Sequence, residues 1–187
     1  FSDLAWLKWF GAFLLLVLLD RVLHLREGDT PIHEAPKSGR VNIRRYMGPG
    51  ALKIIERAYD RSVIRKTDFC LECAKELLKQ KRLRECLARL DVDPKEFEEK
   101  LENLLGEGRE DEHDSKGTSR ELAIQAFWRA VINGEKFVGP IDLFGAIPDA
   151  CGARAKRLFN TFGIESGDLE GSLIFARASG GFFARLP

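Results

Sequence analysis

The sequence has almost no net charge and few valines. Its 187 residues include 30 Lys+Arg and 29 Asp+Glu, which gives a formal net charge of +1. A chain this close to neutral has no global field that would hold it on nucleic acid. It has 7 Val against 25 Leu, and this bias favours helices over strands because valine loses side-chain freedom in a helix. We therefore predict a mostly α-helical protein that does not bind nucleic acid.

Cysteine is also scarce, with four in the whole chain. This is too few for a disulfide scaffold and predicts a reducing compartment. Cys70-x-x-Cys73 together with Cys86 and His113 could form a zinc or thiol site, so a membrane-associated thiol or zinc-binding helical protein is the alternative function. Cys70 and Cys73 would lie one turn apart on an apolar helix face, and Cys151 has no evident partner. We interpret the cysteines as small buried side chains.

Several catalytic patterns are missing as well. The sequence contains no G-x-x-x-x-G-K-[ST] phosphate loop, so binding or hydrolysis of ATP by that route is not expected. No Ser/His/Asp set, paired carboxylates or glycine-rich loop rises above chance. We predict no catalytic residue, no cofactor and no metal site, and therefore a protein that is not an enzyme.

Residues 4–25 are the most apolar stretch of the sequence, and residues 4–19 hold a single charge. As a helix this stretch would be about 33 Å long, enough to cross a hydrocarbon core of about 30 Å. Trp6 and Trp9 would lie at one interface, and the basic residues that follow favour a cytoplasmic location for the remainder. We predict a single-pass membrane anchor over residues 1–25. The alternative is a buried or interfacial helix, because the longest uncharged run has only eleven residues.

Three segments lack any periodicity of helix or strand. Residues 26–48 contain prolines and glycines and predict an extended linker. Residues 106–117 are charged and predict a solvated connector. Residues 179–187 are interpreted as a tail.

The sequence after Pro49 resembles itself when it is shifted along the chain by a constant number of residues. We call this shift the repeat offset; it is the separation between Ala51 and Ala123. The agreement preserves apolar character across several turns without a gap, which indicates an internal duplication. We predict two repeats, residues 49–105 and residues 118–178. Further matching pairs include Ile55 and Phe127, Ala58 and Ala130, Leu71 and Leu143, Leu87 and Phe159, Val92 and Ile164, and Phe97 and Leu169.

Helix-start residues divide each repeat into four short helices. The first repeat has Pro49, Thr67-Asp68, Lys81 and Asp93-Pro94 at these positions. The second has Thr118 with Glu121 as a capping box and Gly139-Pro140 opening the next helix. The predicted fold class is all-α, with two tandem four-helix repeats preceded by a transmembrane helix.

Three stretches resemble the Clp repeat, which forms the N-terminal domain of the Clp family of AAA+ unfoldases. They are residues 135–147 (EKFVGPIDLFGAI), residues 77–105 and residues 155–169. The resemblance extends over residues 49–178, although Asp142 stands where the repeat usually has histidine.

The resemblance implies a non-catalytic docking domain in bacterial protein quality control. Such a domain binds substrate or adaptor proteins and passes them to an AAA+ ATPase ring, here from a membrane tether with the repeats in the cytoplasm. An apolar groove between helices would hold the bound segment. Phe127, Trp128 and Phe137 are the candidate protein-binding residues, because aromatic side chains often anchor interfaces.

Overall fold

A computed structural model describes residues 3–24, 30–36, 40–107 and 115–183. These residues form α helices and no strand, so the all-α prediction is confirmed. Two 3-10 turns, Ile32–Glu34 and Ile43–Tyr46, precede α2. The α helices of the described residues are α1 (Asp3–His24), α2 (Pro49–Arg65), α3 (Phe69–Leu77), α4 (Lys81–Arg89), α5 (Pro94–Gly106), α6 (Ser115–Ile132), α7 (Pro140–Ala150), α8 (Ala153–Thr161) and α9 (Ser166–Phe183).

The first helix does not meet the requirements of a membrane span. Every 18-residue window of α1 contains three charged residues, drawn from Asp3, Lys8, Asp20 and Arg21. Its longest uncharged run would extend about 16 Å as a helix, roughly half of a hydrocarbon core. Among the described residues, none of the helices combines the length and apolarity needed to cross a membrane. The predicted transmembrane helix, and with it the single-pass membrane localisation, is therefore wrong.

Side-chain caps set the start of several helices. The Asp68 carboxylate accepts hydrogen bonds from the backbone N–H groups of Cys70 (2.8 Å) and Leu71 (3.1 Å), which begins α3. Asp93 accepts from the N–H of Lys95 at 3.0 Å and begins α5. These are the positions at which the sequence predicts helix starts. α6 differs, because it already begins at Ser115 and places Thr118 inside the helix.

Parts of the chain that are separated by the repeat offset have the same local geometry. α4 and α8 begin and end at this offset. After each of them one residue has a left-handed backbone, Asp91 with φ 57° and Gly163 with φ 64°. Backbone hydrogen bonds match as well: Val92 donates to Leu87, and Ile164 donates to Phe159, both at 3.1 Å.

The helices form two groups that exchange packing partners. We call α2–α5 the first group and α6–α9 the second group. Within the groups α2 packs on α3, and α6 packs on α7. Between them α4 packs on α9, and α5 packs on α8. Phe97 of α5 contacts Phe159 of α8, with ring centres 5.7 Å apart, so one aromatic core is shared by both groups.

A disulfide also joins the two groups. Cys70 at the start of α3 is bonded to Cys151, which follows α7, and their Cα atoms are 6.1 Å apart. All four cysteines are buried, as predicted from the sequence, but Cys70 and Cys151 are bonded to each other rather than unpaired. Disulfides persist under oxidising conditions, so this bond does not support the reducing compartment predicted from the scarcity of cysteine. Cys73 and Cys86 are buried free thiols. Burial, assisted by the charge of Glu76, raises the pKa of Cys73 to about 12.

Candidate protein-binding groove

Part of the segment before α2, predicted from the sequence to be an extended linker, packs onto the helices: this holds for the described residues 30–36 and 40–48. Ile32 and Tyr46 are both buried. Their backbones pair with the loop between α6 and α7: Ile32 N–H donates to Lys136 O, and Val138 N–H donates to Tyr46 O, both at 2.9 Å. These bonds hold the segment against α6 and create a boundary between the two.

An apolar groove of about 840 Å³ runs along this boundary. One wall comes from the segment before α2 and the other from α6, and the α6–α7 loop closes one side. The segment contributes Ile32, Ala35, Pro36, Val41 and Ile43, and α6 contributes Phe127, Trp128 and Val131. A largely preformed apolar cleft of this size is suited to binding apolar side chains.

Two of the predicted aromatic residues lie together in this groove. Phe127 is 7% exposed, and its ring centre is 5.6 Å from that of Tyr46. Trp128 is 56% exposed and contacts Phe127 edge to face at 6.0 Å. Val131 follows one turn after Trp128 on the same helix and is 38% exposed. The arrangement places an exposed indole beside a buried phenyl ring.

Phe137, the third predicted residue, lies outside the groove lining. It is partly buried in the α6–α7 loop, where the Lys136 ammonium is 5.3 Å from its ring centre. The groove also depends on residues that the sequence analysis did not identify, above all Ile32, Val41 and Ile43. They are isolated apolar residues among prolines and polar residues, and no periodicity distinguishes them from linker residues.

Buried ion pairs fix the loop that closes the groove. Arg177 Nη2 contacts Asp142 Oδ1 at 2.6 Å, and its Nε lies 3.4 Å from Glu135 Oε1 in the groove lining. Asp142 is 2% exposed, and its second oxygen accepts a hydrogen bond from the N–H of Gly139 at 2.8 Å. Burial raises the pKa of Asp142, while the bonds from Gly139 and Arg177 oppose the rise. Through these contacts α9 holds the start of α7 and the loop before it.

Outside the groove, a buried carboxylate collects several cations on the first group. Glu76 is 2% exposed. Lys79 Nζ lies 2.6 Å from its Oε1, and Arg57 Nη1 lies 4.0 Å from its Oε2. Arg61 forms a third ion pair with the same carboxylate. Three positive charges therefore surround one negative charge.

The described part of the structure does not gather the cysteines into the zinc or thiol site considered from the sequence. Cys70 is bonded to Cys151, and the burial of Cys73 disfavours its reactive thiolate form. Among the residues that the structure describes, no three His, Cys, Asp or Glu side chains lie close enough to hold a metal ion. His113 lies outside the described residues.

No family model matches the chain, and no curated protein matches its sequence. The resemblance to the Clp repeat thus stays a prediction.

Proposed function

We propose that the chain is a protein-interaction domain of the Clp-repeat type, without catalytic activity of its own. Its groove would bind an apolar segment of a substrate or adaptor protein and present it to an AAA+ ATPase ring. The observation that carries the proposal is the exposed Trp128 beside buried Phe127 in an apolar groove. Large exposed apolar surface that is rimmed by polar residues is typical of a protein-binding site.

The matching geometry of the two groups supports the tandem-repeat part of the proposal. α4 and α8 have identical lengths and are separated by the repeat offset, and Asp91 and Gly163 have the same backbone conformation after them. The exchange of partners, α4 on α9 and α5 on α8, is what an approximate twofold relation between two copies would produce. We propose that each group is one copy of a four-helix unit.

In the proposed mechanism Trp128 is the anchor. An apolar side chain of the bound segment would enter the groove and displace water from Trp128, Val131 and Ile43. Burial of apolar surface contributes roughly 25 cal/mol per Å² before the costs of association are subtracted. ATP hydrolysis would come from a separate ATPase module, because the sequence has no phosphate loop of its own.

A binding assay with one matched control tests the proposal. The probe is a fluorescently labelled unstructured peptide with a central apolar cluster, and anisotropy gives its Kd for the full chain. We expect Trp128→Ala to weaken binding about tenfold, a loss of about 1.4 kcal/mol. Ile132→Ala is the control: Ile132 lies on the same helix and is 80% exposed, but does not line the groove. Absence of binding, or equal loss in both variants, would refute the proposal.

A further inference from the structure

The charged residues around the groove indicate which polypeptide segments the groove would prefer to bind. This step rests on the proposed function, because it concerns the occupant of the same groove. Residues 40–66 contain eight Lys+Arg and two Asp+Glu, although the whole chain has a net charge of only +1. The excess positive charge thus lies in the stretch that forms one groove wall and α2.

Exposed cations lie immediately beside the groove. Arg40 and Arg45 are exposed and bracket the groove-lining residues Val41 and Ile43 in sequence. Lys136 is exposed and itself lines the groove.

The nearby carboxylates compensate little of this charge. Glu135, which lines the groove, is already paired with Arg177. Glu34 is exposed, with His33 as its neighbour at 3.9 Å. The rim of the groove therefore presents more positive than negative charge to a bound segment.

An ion pair links the groove segment to α2, which carries further cations. Arg44 follows Ile43 and reaches α2 through an ion pair with Glu56, with the Arg44 Nη2 and Glu56 Oε1 atoms 2.9 Å apart. On α2, Lys53, Arg57, Arg61 and Arg65 recur at every fourth position, a spacing that places them along one side of a helix. We call these four α2 residues, together with Arg40, Arg45 and Lys136, the basic face.

The second group has no such face at the equivalent position among the described residues. Arg129 is the counterpart of Arg57 at the repeat offset, but it is held between Asp149, with Arg129 Nη2 to Asp149 Oδ2 at 2.7 Å, and Glu170. By contrast, Arg57 and Arg61 share Glu76 with Lys79, so the cations outnumber the acid. We call the ion-pair cluster that contains Arg57 the first corner and the cluster that contains its counterpart Arg129 the second corner. The excess of positive charge belongs to the first corner.

We propose that the groove takes an extended polypeptide segment in which acidic residues flank the apolar anchor. The anchor enters the groove, and the acidic residues lie on the basic face. Complementary charge raises the association rate and discriminates among partners more than it adds affinity. The apolar lining of the groove and the near-neutral total charge favour an acidic polypeptide over a nucleic acid as the occupant.

Three labelled peptides with one apolar cluster test the proposal on the full chain. They carry Glu, Gln or Lys at the same flanking positions. We expect the Glu peptide to bind about tenfold more tightly than the Lys peptide at about 0.1 M salt, with the Gln peptide between them. The difference should nearly vanish at about 1 M salt, where the Debye length falls from roughly 10 Å to roughly 3 Å.

Charge-reversal variants locate the effect. Arg45→Glu with Lys53→Glu should remove the preference for the Glu peptide, measured as the ratio of the Kd values of the Glu and Gln peptides. The matched control, Lys95→Glu with Lys156→Glu, changes the same total charge at exposed residues of α5 and α8 and should keep the preference. Trp128→Ala should weaken all three peptides alike.

The outcomes separate the two proposals. If none of the peptides binds, both the proposed function and this inference are wrong. Equal binding of the three peptides, or a preference for Lys, overturns only the acidic specificity. A short DNA duplex that binds more tightly than the Glu peptide, or a Glu peptide insensitive to Trp128→Ala, also overturns it.

Discussion

The two helix groups have similar local geometry, but their ion-pair clusters, the first and second corners, carry opposite net charge. In the first group, Glu76 is surrounded by Arg57, Arg61 and Lys79. In the second group the ratio is reversed, with two arginines among four carboxylates. The second corner consists of Arg129, Arg177, Glu135, Asp142, Asp149 and Glu170.

Two stretches of similar local geometry therefore carry different surface charge. Arg57 and Arg129 occupy equivalent positions, yet one belongs to an excess of cations and the other to an excess of acids. The near-neutral composition of the whole chain conceals this separation. Four predictions probe what connects the two groups and what distinguishes them.

The disulfide between the groups should have the largest effect on stability. Its cysteines are 81 residues apart, and closing a loop of that length restricts the unfolded chain by about 4 kcal/mol. We expect reduction by dithiothreitol to lower the free energy of unfolding by about this amount, measured by denaturant titration. The variant Cys70→Ala with Cys151→Ala should have the same free energy of unfolding as the reduced protein, and the reductant should not change it. Equal transition midpoints for oxidised and reduced wild type would contradict the prediction.

The charge contrast between the corners predicts unequal costs of removing one carboxylate. Glu76→Gln leaves three cations without an acid and should lower the free energy of unfolding by about 2 to 3 kcal/mol. This is less than a fully buried pair loses, since Arg57 and Lys79 are about half exposed. Asp149→Asn should cost about 0.5 kcal/mol, because Arg129 keeps Glu170. Denaturant titration of both variants measures these losses in the free energy of unfolding. Equal losses would contradict the predicted difference between the two corners.

A glycine in α7 gives a smaller effect that is specific to the second group. A Cβ atom on Gly145 would lie 2.7 Å from Cδ1 of Leu173, which is fully buried in α9. Gly145→Ala should therefore lower the free energy of unfolding by about 1 to 2 kcal/mol through overpacking. The equivalent residue of the first group, Cys73, already has a side chain, and Cys73→Gly would instead leave a cavity. Unchanged or increased thermal stability of Gly145→Ala would show that the α7–α9 contact is looser than the structure indicates.

The buried thiol of the first group predicts a small dependence on pH. The pKa of Cys73 is raised from 9.0 to about 12, so above pH 9 the unfolded chain loses this proton while the folded chain keeps it. Unfolding then releases a proton, and stability falls as pH rises. Between about pH 8 and about pH 10 the loss should be about 1.4 kcal/mol. Cys73→Ala should show a shallower decline, and parallel declines in both proteins would contradict the assignment.

Local signals in the sequence predict several helices to within a few residues. α3 and α5 begin after Asp68 and Asp93, because a short acidic side chain satisfies the free N–H groups of the first turn. Gly139 and Pro140 similarly mark the start of α7. α6 is the exception: it extends back to Ser115, so the capping box expected at Thr118 and Glu121 lies within the helix.

Features that depend on distant contacts could not be predicted in this way. The bond between Cys70 and Cys151 requires two segments 81 residues apart to meet, and no spacing rule selects this pair among four cysteines. The groove wall formed by Ile32 and Ile43 is held by backbone bonds to the α6–α7 loop rather than by periodicity. Phe127 and Trp128 could be selected as aromatic residues on a helix, but their groove exists only once that wall is in place.

The exchange of packing partners between the groups has a consequence during synthesis. While the ribosome is still making α8 and α9, α4 and α5 have already emerged. At that stage α4 still lacks α9, and α5 can pack on α3 but still lacks α8. The nascent chain therefore exposes the ring of Phe97 until Phe159 arrives. The first group cannot reach its final state before much of the second has been translated, so during that interval the chain would itself be a candidate client for chaperones.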